Sequence, residues 1–392
     1  MMRKVTIDAV TELPPSSLTP ASLARDIDLR AVTPVYLGSA RPAGIDKDYP
    51  FRGPSLRGNL RTWWRAVHPT QDLSELRNAE RALFGGIHDE QGQGAPRASR
   101  VSLGLARMSS RVSTRKQLNE HLDTDLPYAL WVDRAGTETR YHLQARARLQ
   151  LTLRPRAEDE LPADAAPLLE RALKAMVLLG GAGSRTRRGL GRLWSDELLG
   201  PTVANAESLA EMLSELAPTS APRGWPSLAG MTVAWKSGST YGNAALAAQA
   251  ALEVLQLLRG MRPDGDRFDG SERLEEAEQD WFHINHGMPL HQAFAAALGM
   301  PLAYRKPGVL VARVVPHGHE TDRLPSPLHV RPVPTPNGWA AVILCLQPWY
   351  TGAISSSHRP HEKGSLNPCA VNIMVAGLAR EGWLTVPVVG AM

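Results

Sequence analysis

Between residues 180 and 192 the chain reads Gly180-Gly181-Ala182-Gly183-Ser184-Arg185-Thr186-Arg187-Arg188-Gly189-Leu190-Gly191-Arg192. Glycine lets a backbone take positive φ and come close to a ligand. Arginine brings a planar fork that grips phosphate oxygens two at a time. Five glycines and four arginines in thirteen positions therefore suit a chain that carries phosphates. Hydrolysis of a nucleotide is a poor fit: a phosphate-binding loop of that kind follows a strand and ends in Gly-Lys-Ser/Thr before a helix. Here the loop follows a helical pattern, precedes a short strand pattern and has no lysine. The candidate contacts in it are Gly181, Gly183, Ser184, Arg185, Arg187, Arg188, Gly189 and Gly191.

A second set lies upstream. Arg57, Arg61 and Arg65 recur at i, i+4 and i+8, a basic stripe along one helix face, with Arg41 and Arg52 in the loop before it. Cationic grooves that track phosphates, with surfaces on which bases stack, hold single-stranded RNA. Six arginines on phosphates would give log K against log salt a slope of about −4. Trp63 reads as core; Trp64 lies off the apolar face. The same loop carries Asp46 and Asp48, the carboxylates a metal-assisted cleavage would need. The histidine pairs His283/His286, His317/His319 and His358/His361 have no third ligand close by, so no metal site and no cofactor is expected. Cys345 and Cys369 cannot build a disulfide framework and are expected reduced, in the cytoplasm.

Charge is unevenly spread. Residues 1–200 hold 30 Lys/Arg against 23 Asp/Glu, a net of +7; residues 201–392 hold 14 against 16, a net of −2. A basic half beside a near-neutral one points to a polyanion on one side, with protein partners on the other. No run of 18 uncharged apolar residues occurs, so no membrane span is expected. The N-terminus carries no charged–apolar–small leader pattern.

The elements that must position these residues follow from periodicity. Strands are expected over Ala24–Tyr36, Arg100–Leu105, Tyr141–Leu153 and Leu190–Trp194. In the third, leucines and alanines alternate with polar and cationic residues. Helices are expected from Pro54-Ser55, with Ser55 as the cap, through Leu56, Leu60, Trp63 and Val67; over Asp72–Phe84, stopped by Gly85-Gly86; and over Asp164–Leu179. This order is the split βαβ, or ferredoxin-like, layout. After a short helix, Glu207–Leu216, and a Pro/Ser-rich stretch, the order recurs with insertions. The later elements are strands at Met231–Lys236, Val309–Val315, Leu328–Val333, Trp339–Leu346 and Leu384–Val389, and helices at Asn243–Met261 and Leu366–Arg380. The expectation is an α+β chain of two ferredoxin-like (RRM-like) βαββαβ domains in tandem: 1–200, a linker at 201–226, and a degenerate second unit at 227–392.

A glycine-rich loop between the last helix and last strand of such a unit resembles the RAMP superfamily of CRISPR RNA-binding proteins. Thr33-Pro34-Val35-Tyr36-Leu37-Gly38 is similar to its strand end. Arg52-Gly53-Pro54-Ser55-Leu56-Arg57-Gly58-Asn59-Leu60-Arg61-Thr62-Trp63-Trp64-Arg65-Ala66 resembles the first helix of the first-subunit family of type III-B Cmr effectors. Leu83-Phe84-Gly85-Gly86, Ser99-Arg100-Val101, Gly299-Met300-Pro301 and Ser326-Pro327-Leu328 are further pieces of that likeness. The resemblance implies a non-catalytic subunit that holds the 3′ region of a guide RNA and helps capture target RNA in antiviral defence. Its partners would be an adjacent RAMP subunit and the repeating backbone subunit. The other reading is a metal-dependent endoribonuclease acting through Asp46 or Asp48. The family's cutting aspartate usually lies close behind the strand's glycine, where this chain has Ala40 and Arg41.

Overall fold

Alternation along Leu23–Ala31 buries Leu23, Ile27, Leu29 and Ala31 and exposes their neighbours, which makes this segment β1. The computed structural model describes residues 22–38, 46, 48–86, 96–114, 116–117, 140–155, 161–220, 227–258, 292–298, 302–306, 309–317, 326–346, 353–356 and 363–389. Next come helices α1 (Gly53–Val67) and α2 (Leu73–Phe84), then strands β2 (Val101–Thr114) and β3 (Arg140–Leu153). Helix α3 (Ala165–Leu179) and the short strand β4 (Leu193–Trp194) complete the first sheet. Its strands are antiparallel, in the order β2-β3-β1-β4. The inward residues Ala145, Ala147, Leu149, Leu151 and Leu153 of β3 meet α1 and α3 in one core.

Several boundaries moved, for local reasons. Helix α1 opens one turn before Ser55: Arg52 sits at the N-cap without a side-chain bond, and Pro54 fixes the first turn. Helix α2 starts as expected, with the Asp72 carboxylate accepting from the Ser74 and Glu75 amides, and it stops at Gly85 with φ +78. Strand β2 runs nine residues past Leu105 because β3 pairs with it along its length, through register shifts between Ala106 and Arg111. Trp64 is buried against Phe84 and His68. The second helix of the pair supplies a second apolar wall for α1, which the periodicity of α1 alone does not reveal.

Downstream, helix α4 (Ala206–Leu216), capped by Asn205, lies inside the stretch expected as a linker. Its Leu209 and Leu213 are fully buried in the core shared with α3. Strand β5 (Thr232–Lys236), helix α5 (Ala244–Leu258), strands β6 (Leu328–Val330) and β7 (Val342–Cys345), helix α6 (Ala370–Arg380) and strand β8 (Trp383–Pro387) follow. The second sheet is antiparallel, in the order β8-β5-β7-β6. One face of it (Val233, Trp235, Val342, Leu344) joins the first core; the other (Ala234, Ile343, Cys345) packs on α5 and α6. Full burial pushes the Cys345 thiol up to about 12. The strand expected over Leu328–Val333 ends at Val330; the Arg331 amide still donates to the Val342 carbonyl at 2.7 Å, but Pro332 has no amide with which to continue the ladder. Three smaller sheets also occur among the described residues: Val333–Thr335 with Gly338–Ala340, Gln292–Ala293 with Ser365–Leu366, and Val309–Pro316 with both Leu302–Lys306 and Ile354–Ser356. The acidic stretch 272–280, with Trp281, lies outside the described residues.

Candidate nucleic-acid interface

The three sequence features that stood apart meet at one place. The end of β1 runs into Thr33-Pro34-Val35-Tyr36, and the glycine loop docks on it through the Gly191 amide to the Pro34 carbonyl (2.8 Å) and the Ser184 amide to the Tyr36 carbonyl (2.8 Å). The Arg192 amide donates to the Thr33 hydroxyl, 2.9 Å. The loop's own stem closes by the Ala182 amide to the Gly191 carbonyl, 2.7 Å. Helix α1 backs the stem: the Asn59 amide nitrogen donates to the Gly181 carbonyl at 2.7 Å, and Gly180 lies against Asn59 and Trp63.

Two glycines are required here by the fold itself. Gly183 has φ +83, and a Cβ on it would overlap the Tyr36 carbonyl; Gly191 has φ +58, and a Cβ would overlap the Ala182 carbonyl. Gly189 is buried against Ala248 of α5 and Val330 of β6. A single 3-10 turn, Thr186–Arg188, forms the loop's crest. Gly183, Ser184, Arg187 and Arg188 are exposed along it, whereas Gly181 and Arg185 are half-buried. The loop is thus a fixed ridge with a cationic rim, set on a tightly packed stem.

Behind the ridge lies a buried cationic cluster that sequence reasoning missed. Arg192 (1% exposed) reaches the carbonyls of Thr186 and Leu178 at 3.3 and 3.4 Å. Arg331 (0% exposed) donates to the carbonyls of Val177 (2.9 Å) and Leu193 (2.6 Å), and its guanidinium lies 5.8 Å from the Trp194 ring. No carboxylate pairs with either among the described residues. Burial pushes Arg192 down to about 9; for Arg331 burial, then the charge of Arg192, lowers the pKa well below its usual value. His329 stands between them and the loop. Its pKa is held well below the ordinary value by burial first, then by Arg187, Arg192 and Arg331. The only signal in the sequence was that His329 directly follows Ser326-Pro327-Leu328.

The basic stripe of α1 has another occupation. Arg57 donates to the Phe84 carbonyl at 2.8 Å. Arg61 and Arg65 close on the buried carboxylate of Glu80 in α2, with Nε–oxygen distances of 2.7 and 2.6 Å. At 100° per residue the stripe and the Asn59/Trp63 pair occupy opposite flanks of α1. The stripe therefore clamps α2 while the other flank holds the glycine loop.

Arg41 lies outside the described residues. Arg52 is half-exposed, 4.0 Å from Asp46. These two line a cavity of about 420 Å³ with Tyr49, Phe51, Gly53, Pro54, Leu105 and Met108. The Asp48 amide donates to the Asp46 carboxylate at 3.4 Å. Near Asp46, His142 is fully buried with Nδ1 2.9 Å from the Ser110 hydroxyl. Burial lowers its pKa, against the opposing influence of Asp46. Among the described residues no group of three His, Cys, Asp or Glu could hold a metal ion. Of the paired histidines only His317 is described.

Residues 28–194 match the model of the RAMP superfamily. The CRISPR system Cmr subunit Cmr1-1 of Pyrococcus furiosus is 27% identical over 177 residues, which cover 43% of this chain and 46% of that protein. The match thus spans about half the length of that curated relative. The crystal structure of Cmr1 from Pyrococcus furiosus (apo form) superposes with a TM-score of 0.51 at 17% identity, over 94% of this chain and 99% of that one. A chain from the cryo-EM structure of the type III-B Cmr-beta bound to cognate target RNA gives a TM-score of 0.46 at 12% identity, over 90% and 99%.

Proposed function

We propose that this chain, whose residues 28–194 match the model of the RAMP superfamily, is an RNA-binding subunit of a type III-B CRISPR Cmr effector. The glycine ridge would hold the sugar–phosphate backbone, in the 3′ region of the guide, and would help receive target RNA. The observation that carries this is the ridge itself: Ser184, Arg187 and Arg188 stand exposed on a stem locked to the strand end and to α1. Such a rim meets phosphates without reading bases. Two ferredoxin-like units in tandem form the frame, supported by the shared strand order of the two sheets. The near-neutral second unit would face an adjacent RAMP subunit and the backbone subunit, in the cytoplasm. Among the described residues no helix is long and apolar enough to cross a membrane.

The RNA role is tested by Arg187→Ala with Arg188→Ala. Losing two single-strand phosphate contacts should flatten the salt slope by about 1.4 and weaken binding alike for unrelated sequences. An unchanged slope, or a loss confined to one sequence, would refute it. The endoribonuclease alternative predicts that Asp46→Ala with Asp48→Ala abolishes Mg²⁺-dependent cleavage by the assembled complex. The subunit reading predicts no change.

A further inference from the structure

Arg187 is exposed as a residue, yet burial lowers its pKa. The two facts agree if one edge of the guanidinium is packed inward and the other is open. The inward edge is visible: Nε–H donates to His329 Nε2 at 3.2 Å. Among the described residues, nothing in the protein takes the two terminal nitrogens of Arg187. A fork anchored through Nε presents those terminal nitrogens together, the geometry that grips a phosphate with two parallel bonds.

His329 is suited to this anchoring. To accept from Arg187, its Nε2 must carry a lone pair, so the ring is neutral with its proton on Nδ1. The Ser326 backbone acts on the ring from its own segment, although Nδ1 makes no hydrogen bond of full geometry. Trp63 of α1 meets the ring edge-on, centroids 6.1 Å apart, and fixes its plane. Burial first, and then the neighbouring guanidinium groups of Arg187, Arg192 and Arg331, disfavours a second proton on the ring. His329 comes from β6 of the second sheet, 142 residues from Arg187.

We infer that His329 is a positioning residue, which holds the Arg187 fork outward for a phosphate and makes the ridge's grip on RNA depend on the second half of the chain. The inference rests on the RNA-binding reading of the ridge. A flexible arginine loses side-chain freedom on binding; one held in advance has already lost most of it.

The test uses the purified full chain and single-stranded RNA of mixed sequence, with affinity followed across salt concentration. Arg187→Ala should flatten the salt slope by about 0.7, the value of one single-strand contact. His329→Leu should reproduce most of that change, and the double variant should be no worse than Arg187→Ala alone. His329→Gln, whose side-chain oxygen reaches the place of Nε2, should keep the slope. His329→Asn, whose shorter amide does not, should lose it; this pair decides the matter if the leucine variant fails to fold. A purely structural histidine would lower the melting temperature and leave the slope intact. An unchanged slope in His329→Asn, or additive losses in the double variant, overturns the positioning role while the RNA-binding reading stands. If Arg187→Ala itself leaves RNA binding unchanged, Arg187 holds no phosphate and both the ridge assignment and this inference fall.

Discussion

Replacing Gly191 by alanine separates two reasons for a loop to be rich in glycine: room for a ligand, and room for the protein's own backbone. Gly191 has φ +58, and its Cβ would overlap the Ala182 carbonyl oxygen. A left-handed conformation costs a residue with a Cβ about 1–2 kcal/mol. Relieving the overlap means parting the stem, where the Ala182 amide binds the Gly191 carbonyl at 2.7 Å and the Gly191 amide binds Pro34 at 2.8 Å. Each of those bonds is worth about 1 kcal/mol net. The loss should be about 3–4 kcal/mol, a fall in melting temperature of roughly 4–5 °C for a chain of this size. Gly238 is the internal control: φ is +66, but nothing lies within 4 Å of an added Cβ. Gly238→Ala should therefore cost only the conformational part, about 1–2 kcal/mol. Thermal unfolding of the purified chain without RNA measures both. Equal losses in the two variants would refute the argument that the stem is built by close packing.

Two other outcomes follow from the buried polar groups. Glu80→Ala removes the carboxylate on which Arg61 and Arg65 close; since both arginines keep some solvent access, the loss should be about 2 kcal/mol, between surface and buried pairs. A change below about 0.5 kcal/mol in denaturant unfolding would reduce the clamp to an ordinary surface pair. His142 and His329 both have folded pKa values depressed below 6.5, so the unfolded chain binds protons first as pH falls. Their contribution is intact above pH 6.5 and is lost as pH drops through and below that value, each adding up to about 1.4 kcal/mol per pH unit. A denaturation midpoint that stays flat from pH 7.5 to 5.5 would contradict their burial as neutral rings.

Much of the first sheet was legible because its cues are local. The alternation of β3, the bounds of α2 between Asp72 and the Gly85 stop, and the apolar face of α1 each depend on a few neighbouring residues. The glycine loop stood out for the same reason, and so did its place between α3 and β4. Less local features were misjudged. Trp64 lies off the apolar face of α1, yet α2 supplies a wall for it, and β2 gains nine residues from a partner strand 26 to 42 positions away. Arg192 counted as one more cation of the loop, yet it is buried while its neighbours Arg187 and Arg188 are exposed.

The sequence by itself determined the order of strands and helices in the first sheet and that arginine is concentrated around one glycine loop. Tertiary structure alone decided which arginines face water. Arg61 and Arg65 belong to Glu80, Arg331 to the carbonyls of Val177 and Leu193, and Arg187 to His329 through its inner edge. The reason is physical. Backbone preference is set by a residue and its near neighbours, but the environment of a charged side chain is set by whatever the fold brings beside it, here from as far as 154 residues away.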